Sequence, residues 1–132
     1  MLFDFSNGHN ADNVMFAISS CCEKPPSLSP TAYILNGAVD NNLIAKTKLS
    51  LNVWQHLALV LERNVMYIYL DASIIATRPS THQPRNVQRA KSFIGTCNYS
   101  GYEPFIGIMD DFRIYYKPLS AYEILQVMNE DV

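Results

Sequence analysis

Two adjacent carboxylates, Asp110 and Asp111, stand inside "GIMDDFRIYY" (107–116), a run that otherwise has the composition of a buried strand. Paired carboxylates perform acid–base or glycosidase chemistry when both reach one substrate. Successive residues of a strand face opposite sides. Asp110 shares its parity with Ile108, Phe112 and Ile114 and is expected to face the core. Asp111 falls with Met109, Arg113 and Tyr115, facing out and paired with Arg113. That split argues against joint catalysis. A core-facing carboxylate needs backbone N–H donors or a cation.

Other polar groups offer binding rather than catalysis. "NGHNADN" (7–13) brings Asn7, Asp12 and Asn13 together as oxygen donors for calcium or for sugar hydroxyls, although the same residue types build ordinary turns. Arg78, Arg85, Arg89 and Lys91 form a basic stretch, with no acidic residue between Asp71 and Glu103. It suits an anionic glycan or an acidic protein face, or is a solvated loop; it is too small to indicate nucleic acid. His56 lies between Trp54 and Ala58 with no Ser or Cys nucleophile at a recognisable spacing, so it reads as a packed histidine. Tyr67 and Tyr69 share an outward parity, and Tyr99 and Tyr102 flank a loop. These rings fit sugar stacking or ordinary sheet composition. Cys21, Cys22 and Cys97 lack Cys-x-x-Cys spacing, which argues against zinc. They are expected as free thiols, with a bridge from either Cys21 or Cys22 to Cys97 open in an oxidising compartment. Asn98-Tyr99-Ser100 matches a glycosylation sequon, which a chain so rich in Asn produces by chance.

The elements that carry these residues read as strands. The 132 residues fit one domain able to bury a core. Hydrophobic content of 48% with 17% charged residues describes a folded chain, and a net charge of −2 argues against general nucleic-acid binding. No apolar run is long enough for a membrane span, and no signal peptide is visible at Met1. Alternation predicts a half-buried strand over 43–51 and a strand apolar on both faces over 53–62, expected mid-sheet. After a turn at Arg63-Asn64, strands follow over 65–71, 72–77, 92–95 and 105–116. "EKPPSLSP" (23–30) reads as loop or edge rather than central strand, and 78–91 as a long polar connection. Ser120 and Glu123 form a capping box before a helix over 120–128. The sum is an all-β antiparallel sandwich with one short C-terminal helix.

"WQHLALVLERNVMYIYLDASIIAT", "FIG" and "YEPFIGIMDDFRIYYKPLSAYEI" resemble the laminin-G-like domains of the concanavalin A-like jelly-roll group. The matching residues are Trp54, His56, Leu57, Ala58, Asp71, Ile94, Gly95, Gly107, Asp110, Asp111, Arg113, Ile114, Tyr115, Leu119, Ser120, Glu123 and Ile124. "LFDFSNGHNADNVMFAIS" is similar to the family's upstream segment. Ala72 departs from the usual Gly, which predicts that the Asp71-Ala72 turn is not a tight type I′ turn. Ser6 also replaces a Gly. The strands that usually precede "FDFSNG" are missing, which implies a trimmed domain or a fragment over 1–132 with an exposed sheet edge, covered by a neighbouring chain. The resemblance further implies a non-catalytic module binding a glycan or a protein. The alternative is an accessory subunit of a larger assembly. It also implies an extracellular or cell-surface setting, and a structural calcium as the one cofactor, with Asp110 as its ligand.

Overall fold

The computed structural model describes residues 1–20, 25–37 and 39–130. In chain order the strands are β1 (Phe3–Phe5), β2 (Val14–Ala17), β3 (Thr31–Asn36), β4 (Val39–Ile44), β5 (Leu57–Glu62), β6 (Val65–Leu70), β7 (Ser73–Arg78) and β8 (Phe93–Ile94), followed by helix α1 (Ala121–Met128). They form a five-stranded sheet ordered β4-β3-β2-β1-β8 and a three-stranded sheet ordered β5-β6-β7. Every pairing is antiparallel. No helix among the described residues is long and apolar enough to cross a membrane.

The sandwich closes because each sheet offers one aliphatic face. Phe16, Ala32 and Ile34 from the larger sheet meet Met66 and Ile68 from the smaller, with Leu57, Leu59, Leu61 and Ile75 packed around them. Each fully buried aliphatic side chain contributes about 1.5–3 kcal/mol. The opposite parity of the smaller sheet is apolar too, and α1 explains it. Val60 and Tyr69 are buried with Ile124 of the helix, flanked by Ala58, Tyr67 and Leu119. Thus 57–62 is covered on both faces as its sequence requires, but β5 is an edge strand, not a central one. Tyr67 and Tyr69 line the seat of α1 and offer no free aromatic face. Outside the larger sheet, Met1, Met15 and Ala17 pack against Tyr33, Cys97, Tyr99 and Tyr102.

Several expected boundaries move. The strand expected over 43–51 ends at Ile44, and beyond it Ala45 and Leu49 donate N–H groups to the carbonyls of Pro30 and Leu28. Residues Val53–His56 are not strand: Asn52 has φ 58°, Ser50 N–H donates to Gln55 Oε1, and Trp54 is 67% exposed. Asp71 and Ala72 have φ of 49° and 63° between paired Leu70 and Ser73, so this is a two-residue turn of the I′ kind despite the Cβ of Ala72. The segment 105–116 pairs in no sheet among the described residues. Asp111 at φ 53° interrupts its extended course, a conformation that Asp tolerates better than most residues. Cys21 and Cys22 lie outside the described residues; Cys97 is a free thiol whose pKa burial raises.

Candidate functional site

The smallest unit of the polar end is "FDF" of β1. Phe3 and Phe5 stack on each other at 4.6 Å, and Asp4 points to the opposite face, fully buried. A buried carboxylate must be met by donors. Asn13 Nδ2 donates to Asp4 Oδ1 at 2.9 Å, and both the backbone N–H and Nδ2 of Asn98 donate to Oδ2 at 3.0 Å. Asn98 Nδ2 also reaches Ser6 Oγ and the Lys91 carbonyl. Tyr99 Oη donates to Asn10 Oδ1 and lies 3.2 Å from Asn13 Oδ1. Asn98 is thereby engaged inside the fold by both its backbone and its side-chain amide.

Two loops close over this centre, and they hold most of the residues singled out in the sequence. Asn7 Nδ2 donates to Asp12 Oδ2, and Ala90 N–H donates to Asn7 Oδ1 at 2.9 Å. Arg89 Nε donates to the Asp12 carbonyl at 2.8 Å, and Arg85 Nη1 lies 3.4 Å from Asp12 Oδ1. Lys91 N–H donates to the Ser6 carbonyl. Asn7, Asp12, Asn13, Arg85, Arg89 and Lys91 therefore do converge. Most of their donors and acceptors serve one another and tie 7–13 to 85–98, while Asp12 Oδ1 is buried without a hydrogen-bond partner and meets only the Arg85 guanidinium as an ion pair. Arg78 stands apart: it donates to the Asn42 carbonyl at 2.7 Å and joins the two sheets at the β4–β7 side.

Asp110 is not core-facing. It is exposed, and its Oδ1 accepts the Asp111 N–H at 2.8 Å. Asp111 pairs with Arg113, which also binds Glu130; these partners raise the Arg113 pKa. No three acidic, His or Cys groups converge anywhere among the described residues. The donor set at Asp110 does not fit a calcium cage, which requires six or more oxygens. His56 sits at the foot of β5; burial lowers its pKa, and Asp111 and Arg113 act on it through space. Its Nδ1 is buried without a hydrogen-bond partner.

What the sequence did not disclose is the surface formed by 105–116. Ile106, Ile108 and Ile114 are 88%, 77% and 71% exposed, and Tyr116 is fully exposed. Only Phe112 of this parity anchors inward, its ring edge-on to Phe3 at 5.7 Å and to Phe5 at 6.3 Å. At the start of the run, Phe105 N–H donates to the Gly95 carbonyl, and Ile106 stands at the rim of a cleft of about 220 Å³ that Met1, Leu28, Leu51 and Tyr102 also line. From Ile106 to Tyr116 no main-chain group bonds another main-chain group among the described residues. The alternation was legible; its exposure was not, since period-two patterning specifies two faces without saying what covers either.

Comparison with known proteins agrees with this architecture. Residues 6–125 match the laminin-G-type family described as the concanavalin A-like lectin/glucanases superfamily. No curated protein matches the chain. Among solved structures, an S-layer domain-containing protein (residues 221–444) from Clostridium thermocellum is similar, with a TM-score of 0.52 and 18% identity. The match covers 96% of this chain and 61% of that one, so this chain spans less than two thirds of its neighbour's length and shares its fold.

Proposed function

This chain belongs to the concanavalin A-like lectin/glucanases superfamily, and we propose that it is a non-catalytic binding module whose partner is another protein. The observation that carries this reading is the exposure of three isoleucines in one short segment, Ile106, Ile108 and Ile114. Contiguous exposed apolar surface marks protein-interaction sites. A glycan site is less well supported: most of the polar loop groups, Asp12 Oδ1 excepted, are bonded to one another, and Tyr67 and Tyr69 lie under α1. Two clefts among the described residues lend catalysis no support either. One is lined by Asn64, Val65, Ser80, Thr81, His82 and Gln83, with no carboxylate among these; the other has Glu103 as the one carboxylate among its described lining residues. Glycoside hydrolysis needs two carboxylates flanking the bond. The proposal includes a cell-surface setting, by analogy with the family and with the S-layer domain neighbour.

Panning a displayed library of linear peptides on the protein tests the reading. Wild type enriches sequences that an Ile108→Lys/Ile114→Lys protein fails to retain. Equal enrichment on both proteins, or a glycan on an array bound equally by both, contradicts it.

A further inference from the structure

We infer that Asn36-Gly37, where β3 turns into β4, is a site of intramolecular deamidation, which converts Asn36 to aspartate or isoaspartate and frees the connection 78–83 from the end of β3. Water is the one co-reactant. This goes beyond the protein-binding reading and does not rest on it.

The chemistry needs an asparagine amide and a main-chain nitrogen free to meet it. The nitrogen of the next residue attacks Cγ. A new C–N bond closes a succinimide ring, the Cγ–Nδ2 bond breaks, and ammonia leaves with the proton that the attacking nitrogen gives up. Water then opens the ring at either carbonyl, leaving aspartate or isoaspartate. Glycine is the best neighbour because it has no Cβ to crowd the attack.

The chain holds two Asn-Gly pairs, 7–8 and 36–37. At 7–8 both reacting groups are held. Asn7 Nδ2 donates to Asp12 Oδ2, and Asn7 Oδ1 accepts the Ala90 N–H at 2.9 Å. The Gly8 N–H donates to Ser6 Oγ at 3.3 Å, and the Lys91 side chain packs over Gly8. At 36–37 little is held. Gly37 turns in the left-handed region at φ 59°, and its N–H donates to no group among the described residues. Asn36 Oδ1 accepts no hydrogen bond among them, and one exposed bond, Nδ2 to the Gln83 carbonyl, restrains the amide. A single exposed hydrogen bond is a small barrier to side-chain rotation.

That bond gives the reaction a structural consequence. The nitrogen that leaves is the donor to Gln83. The product sets a carboxylate oxygen against a carbonyl oxygen, and two acceptors do not bond. Isoaspartate also lengthens the main chain at Asn36, the last residue of β3 and the partner of Val39. Arg78 stays on the Asn42 carbonyl and the His82 N–H on Asn41 Oδ1, so the connection loosens at its Gln83 end. Gln83 lines the cleft with Asn64 and His82, so one wall of that cleft is released.

The test incubates the folded protein in mildly alkaline buffer and follows both sites by peptide mapping, with fragmentation that separates isoaspartate from aspartate. Asn36 is expected to react at least about tenfold faster than Asn7. In urea the two rates are expected to converge, which assigns the contrast to the fold. Asn36→Gln keeps an amide but closes a larger ring slowly, and Gly37→Ala crowds the attack; each is expected to suppress reaction at 36. In the reacted protein, amide chemical shifts are expected to move at 78–83 and to stay fixed at 57–62. Asn7 reacting as fast as Asn36 in the folded protein, a contrast that survives in urea, undiminished reaction in Asn36→Gln, or reaction at 36 that leaves 78–83 unshifted would overturn the inference.

Discussion

Ala72 holds φ at 63° in the turn between β6 and β7, a left-handed conformation that costs a residue with a Cβ about 1 kcal/mol. Glycine relieves that strain but gives the unfolded chain more freedom, so Ala72→Gly is expected to stabilise the fold by about 0.5 kcal/mol, read from urea unfolding. The two most informative aspartates behave oppositely. Asp4→Ala strands the donors of Asn13 and Asn98 in a buried site and is expected to cost about 3 kcal/mol. Asp110→Ala, on an exposed residue, is expected to change stability by no more than about 0.5 kcal/mol. If the two losses came out equal, the assignment of the buried carboxylate to Asp4 would be wrong. Parity alone pointed to Asp110 because it sits among Ile108, Phe112 and Ile114. In "FDF" the same parity rule sets Asp4 opposite the phenylalanines, but three residues are too few to show which face is covered. What covers it, the loop carrying Asn98, lies over ninety positions away in the chain.

Helix α1 is the element most fully written in its own residues. Ser120 Oγ accepts the Glu123 N–H at 3.2 Å, and Glu123 Oε2 accepts the Ser120 N–H at 2.8 Å, the reciprocal cap expected from the spacing. The Ser120 backbone donor, with Lys117 and the Ser120 side chain, brings the Glu123 pKa from 4.5 down to about 2. A carboxylate with a depressed folded pKa contributes stability that is complete above its unfolded pKa and is lost as pH falls through the folded one. The capping contribution is therefore expected to be full above pH 4.5 and to disappear towards pH 2. Thermal unfolding of wild type and Glu123→Gln tracks this: the variant is less stable near neutrality, and the gap closes in acid. A gap constant with pH would contradict the cap's ionic character. Strands were less legible than the helix. The Arg63-Asn64 turn and the 65–70 pattern specify β6 locally, whereas the end of β4 and the start of β5 depend on Asn52, Gln55 and the 28–30 segment.

At the scale of the whole molecule, the sandwich follows from aliphatic faces that find each other, and its class was readable because β5 and β6 are apolar in the right parity. The status of 105–116 was not, because pairing is a property of two segments and the sequence of one cannot supply the other. The molecule thus joins a packed core, a polar end whose loops are tied together, and one run, 106–116, that is anchored by Phe112, exposes its isoleucines and makes no main-chain to main-chain hydrogen bond among the described residues. The protein-binding reading proposed above is placed on that run. The most direct measurement of the account is amide hydrogen exchange across 106–116. The account predicts exchange there as fast as in an unstructured chain, while 57–62 and 65–70 stay protected. Protection of 106–116 already in the free protein, equal to that of β6, would contradict it.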